Sequence, residues 1–144
     1  MKAISLWQPW ASLWVSPRKI HDTRHWSTAH RGWLAVHAAK RWADEIDDPL
    51  RDLLEDEFGR RWKDELPLGA IVGAVNLTDV LRTEHVYGEM LDAAACDDLM
   101  CGDFSAGRYA WRKSEFKRLR EPIPFTGRQG FFEVPDDLLT REMV

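Results

Sequence analysis

The sequence contains little cysteine and no long apolar run. Two of its 144 residues are cysteine, Cys96 and Cys101, and a C-x4-C pair is by itself a weak metal signal. In a reducing compartment we expect these thiols to be free. No run approaches the roughly 20 apolar residues of a membrane helix, and residues 1–5 lack the apolar stretch of a signal peptide. These absences predict a cytoplasmic protein that does not span a membrane.

Several motifs of nucleotide and metal chemistry are also missing. The sequence has no G-x-x-x-x-G-K-S/T loop, no dinucleotide-binding fingerprint, no zinc-like spacing of Cys and His, and no nucleophile elbow. Nucleotide triphosphate chemistry and a zinc mechanism are therefore not expected. We predict neither a metal site nor a bound cofactor.

What is present is typical of one globular domain. The chain is 44% hydrophobic and 31% charged, which is ordinary for a folded protein and unlike a disordered one. A chain of this length normally builds a single hydrophobic core. We therefore expect residues 1–144 to form one domain.

Charge is unevenly distributed along the chain. The net charge is -4, yet residues 1–41 carry seven Lys/Arg against one acid, Asp22. Residues 42–104 carry 17 Asp/Glu against five Lys/Arg, and residues 105–128 carry seven Lys/Arg against two acids. If the two basic segments meet in space, they create a positive surface for phosphates. The alternative is ordinary solvated surface charge.

Strand-like runs outnumber helical ones. Strands are predicted at residues 2–5, 19–26, 32–38, 69–77, 108–111 and 129–134. Helices are predicted at 8–15, at 40–59 with a break into two helices at 47–49, at 84–104 (with loop) and at 135–139. Gly69 and Gly73 lie where a tightly curved barrel tolerates no side chain. With no alternating βαβ repeat, this pattern favours an α+β fold: a small β-barrel with flanking helices. Residues of about 40–66 would form an acidic helical insert.

Two segments resemble a known family. Residues 4–11 read ISLWQPWA and residues 17–24 read PRKIHDTR; they resemble the ASCH domain family, whose signature is G-x-K-x-x-E-x-R. Lys19 and Arg24 match it, while Asp22 replaces the Glu and Pro17 the Gly. Further similar segments lie at 31–37, 67–73, 109–111 and 127–132. The resemblance implies a PUA-like β-barrel and an RNA-related role.

The family hosts more than one activity. Some ASCH-like proteins are implicated in cutting single-stranded RNA, some in hydrolysing acetylated cytidine, and some are modules of transcriptional coactivators. The amidohydrolase branch has the signature K-x-x-T, in which a lysine assists a threonine nucleophile. Lys19 matches this signature, but Asp22 occupies the threonine position. Thr23 is one residue away, which in a strand is the opposite face.

Five side chains are candidates for chemistry: Lys19, His21, Asp22, His37 and Tyr109. A lysine in a cleft can neutralise a phosphate or act as a base. His21, on the strand face of Lys19, is the partner expected for RNA cleavage without metal, which needs a base for the 2′-hydroxyl and an acid for the leaving oxygen. His37 is a further candidate acid or base. The structural alternatives are a surface lysine, an ion pair within the strand, hydrogen-bonded histidines and a core tyrosine.

Six other side chains are candidates for binding: Trp7, Gln8, Arg24, Trp26, Lys40 and Gln129. A base stacked on an exposed tryptophan contributes about 1–3 kcal/mol, and Trp7 and Trp26 lie at element boundaries. The planar fork of an arginine suits a phosphate or a guanine edge. A glutamine amide can read a base edge because it both donates and accepts, although Gln8 is also placed to cap a helix.

The leading hypothesis is an RNA- or nucleoside-directed ASCH protein. It would bind single-stranded RNA in a basic cleft and have a metal-independent ribonuclease activity. One alternative is an RNA-binding module without chemistry, and another is an amidohydrolase acting on acetylated cytidine. A third is a small-ligand sensor that acts through the acidic insert.

Overall fold

The computed structural model describes residues 1–87 and 96–144, and its centre is a sheet of six strands. The strands are β1 (Lys2–Gln8), β2 (His21–Arg24), β3 (Gly32–Trp42), β4 (Ala70–Arg82), β5 (Tyr109–Pro124) and β6 (Phe132–Glu133). Their order in the sheet is β2-β5-β4-β3-β1-β6. Strands β1 and β3 pair in parallel, and the other neighbours are antiparallel.

Short helices surround this sheet. They are α1 (Trp10–Trp14), α2 (Asp48–Phe58), α3 (Trp62–Glu65), α4 (Thr83–Tyr87), α5 (Cys96–Met100) and a 3-10 helix at Asp136–Thr140. The Asp47 side chain caps α2 by accepting from the backbone N–H of Leu50, which satisfies an otherwise unpaired donor of the first turn. None of these helices, over the two described ranges, is long and apolar enough to cross a membrane.

The α+β class is confirmed, but the prediction of a β-barrel is wrong because the sheet is open. In the described part of the chain, the edge strands β2 and β6 do not pair with each other. Strand β6 has two residues and pairs only with Lys2 and Ala3 of β1. The rest of β1 is thus left without a strand neighbour on that side. There, Nη2 of Arg24 donates to the carbonyl oxygen of Ser5 at 2.9 Å, so one side chain spans the gap.

Of the two helices predicted within 40–59, the second is present, since α2 begins at the predicted break with Asp47 as its N-cap, but the first is not. Strand β3 continues through Trp42, which pairs with Gln8 of β1, and the backbone N–H of Ala43 donates to the Gln8 carbonyl. Pairing across the sheet therefore overrides the helical pattern at residues 40–42. Within the segment 84–104, predicted as helix and loop, the structure has the helices α4 and α5. Residues 88–95 of this segment lie outside the described residues. Cys101 is a free, buried thiol, as expected.

Apolar packing lies on both faces of the sheet and under the helices. One cluster joins α1 to the sheet around Trp14, Leu34, Val36 and Trp111. A second packs Leu13 of α1 against α2, α3 and Cys101. A third lies on the opposite face and is covered by the 3-10 helix. Residues of β1 and β3 belong to the clusters on both faces of the sheet.

The expectation that Gly73 sits where no side chain fits is confirmed. A Cβ on Gly73 would collide with the backbone carbonyl oxygen of Lys117 on β5 and lie 3.1 Å from Val15. The register of β4 against β5 shifts between Ile71 and Gly73. Strand β4 thus changes its pairing beside a glycine whose added side chain would meet the backbone of β5.

We predict that Gly73→Ala lowers the free energy of unfolding by about 2 kcal/mol or more, because the added methyl group meets backbone rather than a movable side chain. The matched substitution is Gly107→Ala, at a glycine with φ +84° and no atom within 4 Å of the added Cβ. It should cost about 1 kcal/mol, from backbone strain alone. Urea unfolding of both variants measures the difference, and equal losses would contradict the crowding at Gly73.

Candidate functional site

A cleft of about 970 Å³ opens beside the unpaired stretch of β1. Its walls are formed by β1, β3, residues 24–26 that end and follow β2, and residues 125–130 that connect β5 to β6. The lining residues are Ile4, Ser5, Trp7, Arg24, His25, Trp26, His37, Ala39, Lys40, Gly69 and the segment 125–130. The short β6 leaves room for this cleft, since a longer strand would cover β1.

The cleft is cationic in a protein that is acidic overall. Arg24, Lys40 and Arg128 line it, and this set of described lining residues includes no Asp or Glu. Lys40 and Arg128 are exposed and form no ion pair with any residue of the described ranges. The side chain of Lys40 lies over Gly69, where a Cβ would be 2.7 Å from its Cε. The two basic segments of the sequence therefore supply charges to one cleft, which suits a phosphate-bearing ligand.

Two tryptophans border this cleft in different ways. Trp7 is 41% exposed, and the guanidinium of Arg41 lies 3.8 Å from its ring centroid. Trp26 is partly buried and contacts Trp111 edge-on, with centroids 4.8 Å apart. Trp7 is therefore the better stacking surface, while Trp26 mainly packs against the core.

Ser5 and His37 meet at the floor of the cleft. Ser5 Oγ lies 2.9 Å from Nδ1 of His37, and Nε2 of His37 lies 2.7 Å from the carbonyl oxygen of Phe125. His37 is 2% exposed, and burial lowers the pKa of its imidazole, although the hydrogen bond to Phe125 opposes this. The ring is therefore neutral at pH 7. Since a carbonyl only accepts, Nε2 carries the proton and Nδ1 accepts from the serine hydroxyl.

The three signature residues form a connected chain beside the cleft. Lys19 is 1% exposed, and its Nζ donates to the carbonyl oxygens of His21, at 2.9 Å, and Cys101. The same Nζ lies 3.6 Å from Oδ1 of Asp22. Oδ2 of Asp22 accepts from Nε of Arg24 at 2.9 Å. Arg24 is thus held in the cleft wall by a buried ionic chain, and the strand ion pair considered from the sequence is present.

His21 belongs to a separate buried network. Its Nδ1 lies 2.7 Å from Oδ2 of Asp98, and its Nε2 accepts from Nε of Arg112 at 2.9 Å. Oδ1 of Asp98 accepts from the backbone N–H groups of Ile20 and His21. Burial opposes ionisation of Asp98, but these hydrogen bonds outweigh it and lower the pKa of the carboxyl group. This network joins α5 to β2.

The predicted site residues are only partly brought together. Trp7, Arg24, Trp26, His37, Lys40 and Gln129 line the cleft. Lys19 and Asp22 instead border a smaller cavity of about 330 Å³ with Cys101, Asp103 and Arg108. His21 is outside both cavities, so the proposed acid–base pair of Lys19 and His21 does not face the large cleft.

Gln8 and Tyr109 also lie outside the cleft. Gln8 is fully buried: its Nε2 donates to Ser12 Oγ and to the carbonyl oxygen of Pro67, both at 2.8 Å, and its Oε1 accepts from the backbone N–H of Ser12. Its amide is therefore occupied by structural hydrogen bonds. Tyr109 starts β5, packs partly against the core and lies under the Arg82 guanidinium, 5.4 Å from the ring centroid.

Sequence reasoning missed Ser5, Arg128 and a buried lysine, Lys113. Nζ of Lys113 donates to the carbonyl oxygens of Trp14 and Ser16, and burial, with Lys19 nearby, lowers its pKa to about 7. A signal for Lys113 is present in the sequence, since it lies two residues after the core Trp111 and so shares its strand face. Ser5 had no comparable signal, because its partner is 32 residues away.

An open, mostly antiparallel six-stranded sheet with short helices and a cationic cleft beside it defines a protein of the α+β class. The chain belongs to the ASCH domain family, whose model matches residues 4–126. It is 35% identical over 99 residues to human "Activating signal cointegrator 1" and 29% identical over 99 residues to the mouse protein of that name. Each match covers 66% of this chain and 17% of the relative, so the chain spans about a sixth of those proteins.

Solved structures support the fold. The crystal structure of ASCH from Zymomonas mobilis has a TM-score of 0.57 at 15% identity, covering 96% of this chain and 90% of that one. A single-substitution variant of the same protein has a TM-score of 0.56 at 13% identity, covering 96% and 93%. At such identities the likeness shows a shared fold. Over the described residues, no group of three or more His, Cys, Asp or Glu side chains is arranged to hold a metal ion.

We predict that Lys113→Met removes a pH-dependent contribution to stability. Between about pH 7 and 10.5 the unfolded chain binds a proton on this lysine that the folded chain does not, so wild-type stability gains from this group as pH rises through that window. Urea unfolding at several pH values in that range should show a shallower rise for Lys113→Met. Lys63→Met, on the exposed face of α3, is the matched control and should follow the wild type; parallel curves for all three proteins would contradict the prediction.

Proposed function

We propose that this ASCH domain binds single-stranded RNA in the cationic cleft. The observation that carries the proposal is the absence of acidic side chains among the described lining residues, together with two unpaired cations, in a chain of net charge -4. Such a separation of charge concentrates positive potential where a polyanion would bind.

Phosphate contacts would come from three side chains. Lys40 lies on β3 and Arg128 on the β5–β6 connection, and both line the cleft. Neither has to break an ion pair with a described residue before it contacts a phosphate. Arg24 is already oriented by Asp22 and by the Ser5 carbonyl, so binding to it costs little side-chain entropy.

Base contacts would come from Trp7 and Gln129. Trp7 presents an exposed indole at the rim, and such rings stack on bases of any sequence. Gln129 is exposed beside Arg128 and offers a donor and an acceptor to a base edge. Because unstacked bases can enter a cleft that a duplex cannot, a single strand is the ligand that this shape favours.

The residues of the cleft favour binding of RNA over its cleavage. Membership of the ASCH family supports a nucleic-acid ligand by analogy of fold, and the residues of the cleft supply the physical argument. The metal-independent cleavage that the sequence suggested relies on Lys19 and His21, whose functional groups are occupied by buried hydrogen bonds away from the cleft. Their burial favours a structural role in orienting Arg24 and α5.

We expect the double variant Lys40→Ala/Arg128→Ala to bind labelled single-stranded RNA at least tenfold more weakly than the wild type. The slope of log affinity against log salt concentration should fall by about 1.4, since each lost phosphate contact removes about 0.7. Fluorescence anisotropy at four salt concentrations measures both quantities. Lys63→Ala, which removes a lysine away from the cleft, should leave them unchanged; equal weakening by this control would show that binding does not depend on the cleft.

Trp7 should contribute through stacking. Trp7→Ala is expected to weaken RNA binding by about 1–3 kcal/mol, whereas Trp7→Phe keeps an aromatic face and most of the affinity. Leu68→Ala removes another exposed apolar side chain, one that does not line the cleft, and should have no effect. If Trp7→Ala binds like the wild type at the same salt concentration, the ring is not a stacking surface.

A further inference from the structure

The floor of the cleft holds a hydroxyl and a histidine in the geometry of an activated nucleophile. Ser5 Oγ lies within hydrogen-bond distance of His37 Nδ1, at 2.9 Å, and the second ring nitrogen is fixed on the Phe125 carbonyl at 2.7 Å. A catalytic triad of a hydrolase consists of a nucleophile, a base and a third group that orients the base. Here the orienting group is a backbone carbonyl rather than a carboxylate.

The protonation state suits this role. Burial keeps the imidazole neutral at pH 7, and the Phe125 carbonyl confines the ring proton to Nε2. Nδ1 therefore presents its lone pair to the serine hydroxyl. The same carbonyl can stabilise the imidazolium that forms when Nδ1 takes up a proton, because Nε2–H continues to donate to it.

Gly127 packs directly against the pair, where only a residue without a side chain fits. A Cβ at this position would lie 2.5 Å from Cε1 and 2.7 Å from Nδ1 of His37, and 3.3 Å from Ser5 Oγ. Any larger residue would press on the histidine and on the hydroxyl. Ser5 itself is half-buried and is one of the residues that line the cleft.

We propose that Ser5 is a nucleophile and His37 its general base, and that this pair hydrolyses a carboxylic ester carried on a phosphorylated ligand. The activity uses the same cleft as the proposed RNA site but does not require that RNA binds there. The phosphate is inferred from the cations Lys40 and Arg128 at the rim, and the ester from the serine at the floor.

The reaction balances with water as the only co-reactant. Ser5 Oγ attacks the ester carbonyl carbon while its proton passes to Nδ1 of His37; the C–O bond to the alcohol breaks and the alcohol leaves with that proton. Water then attacks the acyl-serine, its proton passes to Nδ1, and the acyl C–O bond to Ser5 breaks as the serine oxygen takes the proton back. The products are a carboxylic acid and the phosphorylated alcohol.

The test uses the full chain with 2′(3′)-O-acetyl-AMP as the probe, and acetate release is measured. The wild type should hydrolyse the ester, and Ser5→Ala and His37→Gln should lower kcat/KM by 100-fold or more. Ser114→Ala, an exposed serine outside the cleft, is the matched control and should retain wild-type activity. Wild-type turnover no faster than buffer, or equal turnover by Ser5→Ala, would overturn the proposal.

The pH profile provides a second readout. Below its lowered pKa, His37 is protonated and cannot accept the serine proton, so kcat/KM should fall in acid with a midpoint below 6.5. Arg24, His25, Lys40 and Arg128 are the other charged or titratable groups that face this cleft. Because histidine titrates near this range, His25→Asn is profiled in parallel; a midpoint that disappears in this variant would assign the titration to His25 and contradict the role of His37.

Covalent labelling of Ser5 tests its reactivity in the wild-type protein, without a variant that has to fold. A fluorophosphonate should modify the folded wild type at Ser5, identified by peptide mass, and Gly127→Ala should reduce the rate of labelling by disturbing the pair. An unlabelled Ser5 in folded wild-type protein would overturn the proposal. RNA anisotropy on the same samples separates the two functions, since Ser5→Ala should still bind RNA if only the chemistry is lost.

Discussion

The ammonium group of Lys19 is buried at the border of the small cavity, and polar groups around it compensate for its charge. An isolated buried ammonium group costs several kcal/mol. Two carbonyl oxygens accept from its Nζ, one from His21 in β2 and one from Cys101 just after α5, and the carboxylate of Asp22 lies 3.6 Å away. Lys19 thus connects β2 to the residue that follows α5 and, through Asp22, to the Arg24 side chain in the cleft wall.

That compensation extends to the surface through Asp22 and Arg24. Asp22 is shared between the two cations, so Arg24 cannot swing freely into solvent. Its guanidinium instead bonds to the Ser5 carbonyl of β1, at the place where the short β6 leaves the sheet open. A charge buried for structural reasons thereby holds a cation in the wall of the cleft, next to the pair formed by Ser5 and His37.

Much of the fold was predictable because local patterns and tertiary contacts agree. The strands around Ala3, Leu34 and Val75 have continuous apolar or alternating patterns, and the crowding at Gly73 was expected from its position in a curved strand. The barrel prediction failed since closure depends on the length of the edge strands, which no local pattern encodes. At residues 40–42, pairing with β1 overrode a helical spacing that continues across the end of β3.

The sequence alone determined the class of fold, the family and the set of basic and aromatic residues from which a cleft could be made. Only the tertiary structure decided which of them share a surface: Arg24, Lys40 and Arg128 meet in the cleft, whereas Lys19 and His21 are buried apart from it. It also paired Ser5 with His37 and placed both under Gly127. Periodicity reports on neighbours within one strand or helix, but these contacts join segments separated by 32 to about 120 residues, and their geometry depends on how the whole sheet packs.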